Sequence, residues 1–364
     1  MWRGSMFCAL FFSFIGLLWS LYGEVRGNPG AVRVLTVMAI YPLLLPALFV
    51  VLRPGDCNRL MSVFRWSTIG LIITQFLYLL SSFGLDGGFY YRLLGDLYGD
   101  VAVTDLGDDY LLFTLPSIAS VIFMLPFFML DYILSNKNKT LNASMIIAMC
   151  LIAFLSGRRA IYLSLIMSFL FVIFILLFWK RVKFFDLICK FIPVTLLVLI
   201  FAILAKILGY FSLDMFVNDI SSVFNFSTDD SNIERANQFE ALMDGFYQNQ
   251  FFGNGAGAAA SYSRSAEQPW AYELFYVSIL FQYGLLGFMF YFLGIMFLLY
   301  NLIYMALVEP CRDEGSRFLF CFLAGFVAFL ISTATNPYLG KFDYMWVVFI
   351  PMAILNCRKQ FGYV

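Results

Sequence analysis

Residues 5–22, "SMFCALFFSFIGLLWSLY", run for eighteen positions without a charge. A run of this kind is either a secretory leader that is removed or the first of several membrane helices. No small-residue cleavage site follows it, and similar runs recur throughout the sequence, so it reads as a retained helix. The composition agrees: the chain is 62% hydrophobic and only 13% charged, with mean hydropathy +0.84, far from the balance of a soluble domain. A β-barrel is disfavoured, because the runs are continuously apolar instead of alternating.

At about 20 residues per span, helices are expected near 5–22, 31–52, 66–84, 111–134, 141–155, 160–179, 191–209, 284–308, 318–335 and 343–357. The expected fold class is therefore all-α: a polytopic transmembrane helical bundle of about ten spans, with residues 1–364 forming a single integral membrane domain. The interval 210–271 is the one large outer loop within it.

Orientation follows from the basic residues of the short loops. With both termini cytoplasmic, the inward segments collect fourteen of the 23 basic residues: Arg3, Arg53, Arg59, Arg65, Lys137, Lys139, Lys180, Arg181, Lys183, Lys190, Arg312, Arg317, Arg358 and Lys359. Acidic residues gather in the outward interval 85–110. The net charge of zero thus hides a polarised molecule suited to a cytoplasmic membrane, and it gives no reason to expect nucleic-acid binding. No cysteine falls in an expected outer loop, so no disulfide is expected. With no histidine and no paired cysteine spacing, neither a metal site nor a cofactor is expected.

Several features of the outward side suggest chemistry. "FLSGRRAIYLSL", 154–165, sets Arg158 and Arg159 in a polar break, against the positive-inside trend. One reading is snorkelling to headgroups; the other is an anion site, since the planar guanidinium fork matches phosphate oxygens. In "DDSNIERANQFEALMDGFYQN", 229–249, Ile233, Ala236, Phe239, Met243 and Phe246 recur at helical spacing, which predicts an amphipathic helix capped by Asp230 or Ser231. Arg235 lies in its first turn, where a cation is mildly disfavoured. "FFGNGAGAAASYSR", 251–264, follows. Its Gly253, Gly255 and Gly257 do not have dinucleotide-binding spacing; they let backbone approach a ligand or a neighbouring helix, or form a plain loop. Arg264 ends that stretch. Glu273 then enters an apolar helix, which is unfavourable unless it faces a wet cavity or a cation. Burial raises a carboxyl pKa and neighbouring arginines lower it.

Together, the arginine-bearing amphipathic helix, the "GNGAG" turn, and a polar residue ahead of an aromatic helix with "YGLLG" resemble the outer-loop region of the bacterial O-antigen polymerase and O-antigen ligase superfamily. "SGRRAIYL" resembles an arginine turn that these enzymes place on the same face, and "TNPYLGKFDYMWVVFIPMAIL", 335–355, is similar to their last outer turn and final span. Ligases of this superfamily commonly carry a histidine eleven residues before the first glycine of "YGLLG"; here that position is Glu273, and the chain has no histidine. The departure favours the polymerase branch.

The resemblance implies a metal-independent glycosyl transfer at the outer face of the cytoplasmic membrane, between undecaprenyl-pyrophosphate-linked oligosaccharides. Glu273, Arg158 and Arg159 would be catalytic; Arg235, Arg264, Gly253, Gly255, Tyr272 and Tyr338 would contact substrate. Membrane lipid and a chain-length regulator are the further partners implied. Two other classes stay open. A flippase or exporter of the same lipid-linked glycan would show midspan charges or paired broken helices, whereas the candidate charges here gather at one face, with Lys206 the main exception. A noncatalytic scaffold of an envelope assembly complex would tolerate loss of single outer arginines.

Overall fold

The computed structural model describes residues 3–53, 56–82, 88–90, 92–93, 103–105, 111–113, 117–135, 137–155, 230–308 and 314–360, with single positions between 166 and 196. Among these, long helices dominate: α1 Arg3–Val25, α2 Ala31–Val51, α3 Cys57–Ser82, α4 Ile118–Leu134, α5 Lys139–Leu155, α6 Asp230–Gln248, α7 Phe275–Val308, α8 Glu314–Thr333 and α9 Trp346–Gln360. Two three-residue strands, β1 Val103–Asp105 and β2 Leu111–Phe113, pair antiparallel.

Four helices among the described residues are long and apolar enough to cross a membrane, namely Ala31–Val51, Cys57–Ser81, Phe275–Met305 and Glu314–Thr333. Shorter apolar helices accompany them at Ala9–Val25, Ile118–Leu134, Lys139–Ala153 and Phe342–Cys357. The protein is a multi-pass helical membrane protein. The spans expected at 160–179 and 191–209 fall outside the described residues apart from isolated helical positions.

Three boundaries differ from expectation: the helix expected from 284 begins at Phe275 and runs through Gly284, and two others shift for local reasons. The helix expected from 111 begins at Ile118. Ser117 ahead of it has φ 61°, a left-handed conformation that a right-handed helix cannot pass through, and 111–113 pairs as a strand instead. The helix expected from 66 begins at Cys57, because hydropathy marks only the apolar part of a helix whose polar end, with Arg59 and Arg65, extends beyond it. Helix α2 is continuous but irregular: Thr36–Ile40 is wound as a π-helix and Tyr41–Leu44 as a 3-10 helix. Pro42 removes one ladder donor there, and the backbone adjusts around the gap.

The chain divides into two compact units. The first comprises Met1–Cys57, Phe226–Val308 and Leu330–Val364; the second comprises Asn58–Asn225 and Glu309–Phe329. The second unit has a phenylalanine core in which Phe64, Phe123, Phe127, Phe318 and Phe322 meet mostly edge to face or tilted. It also buries a charge. Asp131 of α4 is fully inaccessible and accepts from Arg65 Nη2 at 3.0 Å and from Asn142 Nδ2 at 2.8 Å, with Arg317 Nε 3.3 Å away. A carboxylate taken out of water is tolerable only with partners of this kind, so Asp131 ties α3, α4, α5 and α8 together.

In the first unit, α1 packs on α2, and α6 packs on α7. Helix α6 exists as its sequence predicts, and the face it buries against the protein is a different one from its apolar stripe. Gln238, Ala241 and Leu242 are buried and Gly245 abuts Phe281, whereas Ile233, Phe239 and Tyr247 are exposed. In a protein bathed by lipid, an apolar stripe need not face the core, and helices approach each other through small and polar residues.

Candidate functional site

The site is built around a break in α7. The helix runs from Phe275 to Val308, but Gly284 within it has φ 65° and ψ −174°, a conformation open essentially to glycine alone. The break frees backbone groups on both sides, and in an apolar setting each needs a partner. The segment after α6 supplies them. Asn254 N donates to Phe281 O at 3.0 Å and Gly255 N to Gln282 O at 2.9 Å, while Leu285 N and Leu286 N donate to the carbonyls of Gln250 and Phe251. Such pairing requires backbone against backbone: a Cβ on Gly253 would collide with Gln282 and Gly284. Gly253, itself at φ 72°, is therefore matched to Gly284.

The same turn is stitched to the start of the chain. Asn28 Nδ2 donates to the carbonyls of Asn254 and Ala256, Trp19 Nε1 donates to Phe252 O, and Ala256 N donates to Trp19 O. The N–H groups of Gly253, Gly255 and Gly257 are all given to protein acceptors, the last to Gln282 Oε1 at 3.0 Å. Of the two roles that the glycines suggest in the sequence, the geometry displays close approach of neighbouring segments.

This junction fixes the residues just ahead of α7. Tyr272 is buried with Leu242, Ala258 and Phe281, and its hydroxyl accepts from Ala260 N. Burial pushes the Tyr272 phenol above its ordinary pKa, so it stays protonated. Glu273 points the other way, toward two arginines. Arg235 Nε donates to Glu273 Oε2 at 2.9 Å, and Arg264 Nη1 pairs with Glu273 Oε1. Gln238, one helical turn beyond Arg235 and fully buried, accepts from Glu273 N through Oε1 at 3.1 Å. Three residues of one expected site, up to 38 positions apart, are thus in direct contact.

The electrostatics are graded. The Glu273 side chain is 20% exposed, Arg235 29% and Arg264 58%, so the cluster opens to solvent on the Arg264 side. Burial lowers the Arg235 pKa, but from so high an ordinary value that the guanidinium remains charged. Two guanidinium groups thus face one carboxylate, and both carboxylate oxygens are engaged. Such a group can take a further anion, and an anion that draws the arginines away would release the carboxylate.

Beside it lies a cleft of about 140 Å³, lined in part by Arg33, Gln268, Trp270, Tyr272, Tyr283 and Lys341. Nothing local singles out Arg33 or Lys341, which sit at the ends of apolar runs where anchoring is the ordinary explanation. Gln238 was missed because it falls on the face of α6 that hydropathy does not mark. Tyr338 is buried and meets Tyr344 edge to face, outside the cleft lining. Arg158 and Arg159 lie outside the described residues.

Residues 144–292 match the family model described as O-antigen ligase. No curated protein and no solved structure matches. The matched region contains Arg158, Arg159, Arg235, the glycine turn, Arg264 and Glu273, and it ends before Tyr338 and Lys341. It supports the O-antigen polymerase/ligase superfamily, a class of membrane enzymes that assemble glycans, without separating polymerase from ligase.

Proposed function

We propose that the protein is a polymerase of lipid-linked glycan repeat units, acting at the outer face of the cytoplasmic membrane. The observation that carries this reading is the contact of Arg235 and Arg264 with Glu273, which joins an anion site to a carboxylate base. The donor is a growing glycan on undecaprenyl pyrophosphate, and the acceptor is a single lipid-linked repeat. In the reaction, an acceptor hydroxyl attacks the donor's anomeric carbon. The new glycosidic C–O bond forms as the bond to pyrophosphate breaks, the hydroxyl proton goes to Glu273, and undecaprenyl pyrophosphate leaves with the electron pair.

Each residue has a distinct task. Arg235 and Arg264, with Arg158 and Arg159 as further ligands, stabilise the charge that grows on the departing pyrophosphate. Glu273 is the general base. In the unliganded arrangement it is held by the arginines; when pyrophosphate takes them, the carboxylate is freed beside the acceptor. Gln238 holds the Glu273 backbone, and the Gly253–Gly284 junction holds the whole segment on α7.

A ligase-like transfer to a different acceptor is the second reading, favoured by the description of the matching family. The absence of any histidine from the sequence argues for the polymerase branch. The test is reconstitution of the purified protein with lipid-linked repeat units alone. A ladder of products longer than one repeat supports polymerisation; single-repeat transfer that occurs only when a different acceptor is added would overturn it.

A further inference from the structure

Helix α6 has three different faces, and it packs on α7 through one of them. Gln238, Ala241, Leu242 and Gly245 form that face. Asn237, Glu240, Asp244 and Gln248, at steps of three and four, form a second face that is exposed and wholly polar. Ala236, Phe239, Met243 and Phe246 form the third, which is apolar and exposed or half-buried. At about 100° per residue, the three lie roughly a third of a turn apart. Tyr247, exposed, falls on the border between the apolar and polar faces. A phenol with an apolar body and a polar tip suits a membrane–water boundary.

The apolar surface does not end with the helix. Phe251 and Phe252 are 71% and 60% exposed, and the bond from Leu286 N to Phe251 O sets them beside α7. Just there a second apolar stripe begins: Leu285, Leu286, Met289 and Leu293 recur at helical spacing and are all exposed, whereas no residue of 275–284 is. An exposed apolar stripe on a membrane span faces lipid. Length puts the edge of the membrane at the same point. Phe275–Met305 has 31 residues, about 46 Å at 1.5 Å per residue, whereas a hydrocarbon core of about 30 Å needs only about 20 of them. Counting back about 20 residues from Met305 reaches the break at Gly284.

We infer that α6 and Phe251–Phe252 dock in the interface of the bilayer leaflet at the Gly284 end of α7, with the Phe239 face and the phenylalanine pair among the first acyl carbons and the Glu240 face in water. Continuity with the lipid-facing stripe of α7 identifies the occupant as lipid. The polar face carries two acids and no lysine or arginine, so attraction to anionic headgroups adds nothing and apolar burial holds the helix. Arg235 lies one turn before Phe239, so the docked helix holds the Arg235–Glu273 pair near the level of the lipid phosphates. Resting on the polymerase reading, this sets the cluster at the depth where a lipid-linked pyrophosphate sits.

The test places the photocrosslinker p-benzoylphenylalanine, one position at a time, at Phe239, Phe251, Glu240 and Asp244 of the full chain in proteoliposomes, with Met289 as the lipid-facing reference. Lipid adducts at Phe239 and Phe251, read by mass spectrometry, are expected within about threefold of the yield at Met289 and about tenfold above Glu240 and Asp244. Yields should agree within about twofold between liposomes with and without phosphatidylglycerol. Equal yields at all four positions, or adducts that form only with phosphatidylglycerol, would overturn the docking. So would a crosslinked dimer at Phe239 or Phe251 in place of lipid, which would make the surface a contact between two copies of the chain. Activity separates this inference from the reading beneath it. Phe239→Asn/Phe251→Asn is expected to bind inorganic pyrophosphate within about twofold of wild type, yet to extend lipid-linked repeats about tenfold more slowly. Extension at the wild-type rate would sink the depth-setting role and leave the polymerase reading standing. Lipid adducts as described, in a wild-type protein that extends no lipid-linked repeat, would leave the docked surface standing without that reaction.

Discussion

Replacing Glu273 with glutamine keeps the side chain's shape and removes its charge, which separates two effects that truncation would mix. In the wild type the carboxylate accepts from Arg235 Nε at 2.9 Å and pairs with Arg264. A hydrogen bond to a charged group is worth about 1.5–3 kcal/mol. Arg264 is more than half exposed, so its pair with Glu273 contributes at most about 1 kcal/mol after screening. Without its internal anion the cluster should bind pyrophosphate more tightly, by about five- to tenfold, corresponding to roughly 1–1.4 kcal/mol. The chemical step loses its proton acceptor and should slow by about 10²–10⁴. The assay pairs pyrophosphate binding with single-turnover extension of lipid-linked repeats in proteoliposomes. Tighter anion binding together with slower extension is the expected signature. Wild-type extension by Glu273→Gln, or weaker anion binding in it, would refute the exchange of arginines between carboxylate and pyrophosphate.

Other perturbations address the scaffold and the remaining arginines. Asp131→Ala should remove the buried carboxylate that pairs with two half-buried arginines and lower stability by about 3–5 kcal/mol, read as thermal unfolding in detergent. Gly253→Ala sets a Cβ against the Gln282 carbonyl at a left-handed position; a loss of about 1–3 kcal/mol with impaired extension is expected. Leu242→Ala empties the centre of the cluster under Tyr272 and should reduce stability by about 2–5 kcal/mol. Arg158→Ala or Arg159→Ala should leave the protein in the membrane but abolish long glycans on a gel, with normal ladders counting against both.

The glycine turn and the Glu273 cluster show how far local sequence can be read and where it stops. Arg235, Arg264 and Glu273 were legible as candidates because a charge placed among apolar residues is unfavourable without a purpose. Their mutual contact was not legible, since nothing local relates a residue in α6 to one ahead of α7. The stripe of Ile233 and Phe239 did not say which apolar surroundings it meets, because lipid and protein core are equally apolar and hydropathy does not tell them apart.

Hydropathy is a sum over neighbouring residues, and by itself it determined that this chain forms long apolar helices and where several of them run. Only the tertiary structure decided which partners the break in α7 acquires. Backbone groups freed at Gly284 must find donors and acceptors out of water, and the segment 250–255 that supplies them brings Glu273 to its arginines.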